Sequence, residues 1–108
     1  MMKVEDLVDN LGLDLEDVKE LLELYVGATA SDLECLREAI NNNDVKVVHE
    51  RAHSIKGASG NLGLTDFYEL AKEIDDLARA NNLAGVETIY NDFESKFQKL
   101  SQEIANAC

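Results

Sequence analysis

The sequence predicts an all-α protein: an antiparallel up-down four-helix bundle with a short extra N-terminal helix. Three observations predict it. Apolar residues return at steps of three and four along four long stretches, proline is absent from all 108 residues, and no run alternates in the manner of a strand. A chain of this length buries one real core but not two, so residues 1–108 are expected to form a single domain.

A short helical turn from Val4 to Asn10, ended by Gly12, is expected to pack across one end of the bundle. Asp14 then caps a long helix whose inward stripe is Leu15, Val18, Leu22, Tyr25, Val26, Thr29, Leu33, Leu36 and Ile40. "NNND" at 41–44 breaks that pattern, and Asp44 is a good cap for a helix with Val45, Val48, Ala52, Ile55 and Ser59 inward. This helix should stop between Asn61 and Gly63, where glycine can take the left-handed conformation of a terminator. Thr65 is expected to cap the next helix, with Phe67, Leu70, Ala71, Ile74, Leu77 and Ala78 as its stripe until "ANN" ends it near Asn82. The last helix buries Val86, Ile89, Tyr90, Phe93, Phe97, Leu100 and Ile104. It keeps Glu94, Lys96, Lys99 and Glu103 wet. These stripes are core and call for no cofactor.

Charge excludes some functions. With 22 acidic and 10 basic residues the formal charge is −12, so duplex DNA and anionic membranes are repelled by most of the surface. Neither nucleic acid nor membrane is expected as a partner. The opening "MMKVEDLVDN" carries acidic groups where a signal sequence needs an apolar run, and no stretch approaches membrane-spanning length. A cytoplasmic protein is expected. Cys35 and Cys108 form no disulfide framework and read as free thiols in a reducing compartment.

"HERAH", from His49 to His53, matches the zinc signature H-E-x-x-H, in which two histidines one turn apart grip the metal and the glutamate serves as base. The extended version would need glycine at Lys56 and histidine at Ser59, and so fails. A shorter version would borrow Glu73 from the following helix, but Lys56 would oppose the dication and no strand is available to hold a peptide. No metal is expected, and a zinc hydrolase using His49, Glu50 and His53 stands only as a third reading, which tight stoichiometric zinc binding would revive.

The spacing places His49, His53, Lys56, Gly57 and Gly60 on one stripe, roughly opposite Val48, Ala52, Ile55 and Ser59. His53 should therefore face outward. A glycine inside a helix costs about 1 kcal/mol relative to alanine. Gly57 sits in mid-helix one turn after His53, where it leaves a flat opening suited to close approach by another protein. Lys56 adds a fixed positive charge that would favour a phosphoryl group in a charged transition state. From Asp44 to Gly60 there are three cations against two anions, a balance of +1 that leaves −13 for the remainder.

The phrase His53-Ser54-Ile55-Lys56-Gly57-Ala58-Ser59-Gly60-Asn61-Leu62-Gly63 resembles the signature of histidine-containing phosphotransfer (HPt) domains, H-x-[L/I]-K-G followed by small residues and L-G. The segment "LTDFYELAKEIDDLAR" is similar to the helix that follows in that family. The resemblance covers the whole chain in helix order and length, with its specific letters between Ala52 and Arg79. It implies a bundle that relays phosphoryl groups in bacterial-type two-component signalling, between receiver domains of hybrid histidine kinases and response regulators. On that resemblance His53 would be phosphorylated, Lys56 would assist electrostatically and Gly57 would clear space for the partner. Asp75 would take the polar position, often glutamate or glutamine in relatives, that steadies the imidazole.

Only neutral imidazole carries a nucleophilic lone pair, and an ordinary pKa of about 6.5 leaves most histidine neutral at cytoplasmic pH. An acceptor such as Asp75 at Nδ1–H would present Nε2 to phospho-aspartate on a receiver, as an orienting carboxylate does in catalytic triads. Gly60, His49 and Arg79 are assigned with Gly57 to the docking face, and Arg51 and Lys72 could flank it. The chain shows no Walker loop, kinase nucleotide pattern or acidic magnesium cluster. A monomeric carrier without its own cofactor or ATP-dependent activity is expected, any Mg2+ belonging to the partner receiver. A second class stays open, a bundle that binds a receiver without accepting phosphate.

Overall fold

The computed structural model describes residues 4–107, with side chains over 6–106. Cys108, and with it any role for a terminal thiol, lies outside the described residues. Five helices follow in order: α1 (Val4–Leu11), α2 (Leu15–Asn41), α3 (Val45–Asn61), α4 (Thr65–Arg79) and α5 (Val86–Ala107). No strand occurs among the described residues. Neighbours around the bundle run α2, α3, α4, α5 and back to α2, with α1 laid on α2. The bundle measures 41 × 21 × 18 Å. Short connections force each long helix to reverse, giving the up-down arrangement expected from the sequence.

Local chemistry sets most boundaries. Asp14 accepts from the Asp17 N–H at 2.9 Å and Asp44 from the Val47 N–H at 3.3 Å, each satisfying a donor left open in a first turn. The ends of α2, α3 and α4 share one solution. A residue with positive φ follows each, Asn43 (54°), Gly63 (71°) and Asn81 (56°), and the chain bonds back by six-residue loops. Those bonds run from the N–H of Asp44, Leu64 and Asn82 to the carbonyls of Ala39, Ser59 and Leu77 at 2.8, 2.9 and 2.9 Å. Asparagine and glycine stand there because they adopt the left-handed region at least cost.

Three expectations change. Thr65 does not cap α4: it is the first helical residue, and the N-cap is Leu64, which makes no side-chain cap bond. Leu64 is buried in the core. Burying a leucine is worth about 1.5–3 kcal/mol against about 1 for a polar cap, so packing prevails. Leu15, placed in the stripe of α2, is 44% exposed, while Ala39 is buried. Periodicity gives a direction around a helix but not whether a neighbour covers its tip. Val26, Val45, Leu70, Leu77, Ile40 and Ile89 are only partly buried, at the rim of the core.

The remaining stripes meet as predicted. Phe67 lies at the centre, its ring edge-on to Tyr25 (centroids 6.3 Å apart) and Phe93 (5.0 Å). Two polar side chains cross the core together. Tyr25 of α2 and Ser59 of α3 are hydrogen-bonded at 2.8 Å, and burial raises the Tyr25 pKa. The pair fixes the register of α2 against α3 on the face opposite the exposed histidine.

Candidate functional site

The site lies along the seam between α3 and α4. Because Val48, Ala52, Ile55 and Ser59 turn into the core, the opposite side of α3 is surface. His53 stands there with 59% of its side chain exposed. His49, one turn earlier, and Lys56, one turn later, lean instead toward α4 and are 37% and 21% exposed. Their target is Asp75.

Asp75 is 0% exposed and occupies a core position of α4, in step with Ala71, Ile74 and Ala78. A buried carboxylate survives only with partners, and this one has four. The Nδ1–H of His49 donates to Oδ1. The Lys56 ammonium donates to Oδ2 at 3.3 Å. Arg79, one turn along α4, brings Nε to 3.6 Å of Oδ1. His53 Nδ1 stands 3.6 Å from Oδ2, just beyond a hydrogen bond. Burial raises the Asp75 pKa, but the bonds from His49 and Lys56 outweigh it, and the net shift is downward. The carboxylate is therefore ionised at neutral pH. It lies beneath the ring where positive charge would develop if Nε2 attacked an electrophile.

On the other flank, Asp32 of α2 accepts from Arg51 Nη1 and Ser54 Oγ, both at 3.1 Å. Arg51 is thus tied to the bundle, and Lys72 is engaged with Asp76 at 3.2 Å. A Cβ at Gly57 would meet no atom within 4 Å, whereas one at Gly60 would stand 3.2 Å from Tyr68 Cδ2. Gly57 opens onto free space beside His53. Gly60, although exposed, has a packing reason of its own.

The structure thus brings His49, His53, Lys56, Asp75 and Arg79 together, with Gly57 adjoining. What sequence reasoning missed is the link between His49 and Asp75. Its signal was present: the steps from Ala71 to Asp75 to Ala78 put a carboxylate on a core stripe, where it needs donors from the facing helix. No group of three or more His, Cys, Asp or Glu that could hold a metal ion occurs among the described residues. Nor is any described helix long and apolar enough to cross a membrane.

An exposed imidazole on a helical bundle, backed by a buried carboxylate and flanked by a lysine and a bare glycine, is the arrangement of a phosphotransfer module. Comparison with known proteins agrees. Residues 20–107 match the Hpt domain family. Phosphorelay protein LuxU of Vibrio harveyi is 31% identical over 88 residues, spanning 80% of this chain and 75% of that protein. The crystal structure of histidine-containing phosphotransfer protein B (HptB) from Pseudomonas aeruginosa PAO1 superposes with a TM-score of 0.81. At 22% identity it covers 96% of this chain and 88% of that one, and so confirms the fold. The chain belongs to the Hpt domain family, and its activity is histidine phosphotransfer in a phosphorelay. Members of this family carry phosphoryl groups rather than act as kinases, and they interact with receiver domains.

Proposed function

We propose that His53 is the residue that carries the phosphoryl group. Its neutral Nε2 attacks the phosphorus of a phospho-aspartate on a receiver domain. The N–P bond forms, the P–O bond to the aspartyl carboxyl breaks, and the aspartate leaves as carboxylate. The ring keeps its proton on Nδ1, and the positive charge it gains faces Asp75. Lys56 sits beside this carboxylate, where its ammonium also offsets charge on the incoming phosphoryl oxygens. Attack by the aspartate of a second receiver reverses the exchange.

The observation that carries this reading is the pairing of an outward His53, 59% exposed, with an ionised Asp75 behind its inner nitrogen. Gly57 supports it by leaving the approach clear. In this reading the whole chain is one module, acting as a monomer in the cytoplasm. Its partners are receivers of hybrid histidine kinases and response regulators, and any Mg2+ is held by the receiver. Arg79 and the Gly57 opening lie at the docking face.

The test is transfer from a labelled phospho-receiver. The wild type should take up the label as an adduct labile to acid and stable to alkali, and His53→Ala should take up none while still binding the receiver. Label retained by His53→Ala, on His49 for instance, would overturn the assignment. Binding without transfer in the wild type would favour a docking module instead.

A further inference from the structure

The imidazole of His53 has two neutral tautomers, and only one is useful to a partner arriving from solvent. Free imidazole side chains favour the proton on Nε2, which would turn the outer nitrogen into a donor and leave the lone pair facing the bundle. A carboxylate at Nδ1 reverses that preference. Its ability to do so depends on the plane in which its oxygens lie. Asp75 is short, attached to the neighbouring helix, and 3.6 Å from His53 Nδ1, so a modest rotation of its carboxylate would break the alignment.

Two hydrogen bonds hold that plane, with Arg79 Nε a further charged contact 3.6 Å from Oδ1. Lys56 takes Oδ2, the oxygen that also faces His53, and His49 takes Oδ1. Since an ionised carboxylate only accepts, His49 must donate from Nδ1. Its ring lies 5.9 Å from that of His53, centroid to centroid, and only 37% of its side chain is exposed. This is poor geometry for a residue whose only work is to meet a partner. It suits one that works through Asp75.

We infer that His49 is a positioning residue for phosphoryl transfer: by donating Nδ1–H to Oδ1 of Asp75 it turns Oδ2 toward His53 Nδ1, and so selects the His53 tautomer whose lone pair points outward on Nε2. The sequence His-x-x-x-His on α3 then acts as a relay of orientation through one carboxylate on α4. The inference rests on His53 being the phosphorylated residue. Hydrogen bonds of this kind are often long in a resting site and tighten when the partner binds, which agrees with the 3.6 Å separation.

The test combines 15N NMR of the histidine rings, which reads the tautomer with no phosphate present, with transfer rates from a phospho-receiver. The variants are His49→Ala, His49→Asn and His49→Gln. Asparagine places an amide N–H near the lost Nδ1, whereas glutamine places it near Nε2. In the wild type, His53 should hold its proton on Nδ1. In His49→Ala it should move toward Nε2–H, and transfer should slow about tenfold at unchanged receiver affinity. His49→Asn should recover both properties and His49→Gln neither. If His49→Ala fails to fold, the contrast between the two amides decides alone. The inference is overturned if His53 keeps the Nδ1–H tautomer without His49, if glutamine rescues as well as asparagine, or if the loss lies in receiver binding. Should wild-type His53 accept no phosphoryl group, the functional reading fails, while the tautomer measurement still decides the role of His49.

Discussion

Gly57 should be a residue whose replacement by alanine makes the protein more stable and whose replacement by a long side chain makes it inactive. It lies well inside α3 with helical backbone, and a Cβ there meets nothing within 4 Å. Gly57→Ala therefore restricts the unfolded chain without creating a clash, and the expected gain is about 1 kcal/mol. In a domain of this size that raises Tm by about 4 °C. Gly60→Ala is the control in the same helix. Its Cβ would press on Tyr68 Cδ2 at 3.2 Å, so part of the gain goes into displacing that ring, and the stabilisation should be smaller. Gly57→Gln should leave far-UV circular dichroism intact but slow transfer from a phospho-receiver about tenfold or more, because its side chain stands where the partner must pass. Urea denaturation followed by circular dichroism, paired with the transfer assay, measures both halves. The reasoning is refuted if Gly57→Ala lowers stability, or if Gly57→Gln transfers at the wild-type rate. A helix that forgoes this stabilisation with nothing in the way is the pattern expected where function sets the residue.

Two further outcomes follow from the buried polar groups. The folded state depresses the Asp75 pKa, so the stability linked to its ionisation is fully present above the ordinary carboxylate value of about 3.9 and is lost as pH falls through the folded value. Acid unfolding curves should accordingly drop more steeply below about pH 4 for the wild type than for Asp75→Asn; parallel curves would show that the net shift is absent. For the Tyr25–Ser59 hydroxyl pair, Tyr25→Phe should destabilise by about 1–2 kcal/mol by orphaning Ser59, Ser59→Ala should cost less because buried Thr29 still partners the Tyr25 hydroxyl, and the double variant should lose less than the sum. Simple additivity in urea melts would mean that the two hydroxyls do not depend on one another.

The sequence by itself determined the helices, most of their inward faces, the two aspartate caps and the outward direction of His53. All of these follow from spacing along one chain: residues three and four apart share a face, and a cap acts on its own first turn. The family phrase from His53 to Gly63 was legible for the same reason, since it lies within one helix and its terminator. Tertiary structure decided what depends on which helices meet. Leu64 displaced Thr65 as the start of α4 because it had a core to enter, and Leu15 stayed exposed because no element covers it. Gly60 acquired a neighbour in Tyr68. Above all, His49 moved from the rim to the centre of the site, because its Nδ1 meets a carboxylate 26 residues away on α4. Helical period states which way each side chain points, but a hydrogen bond between helices exists only once packing has fixed their separation and register.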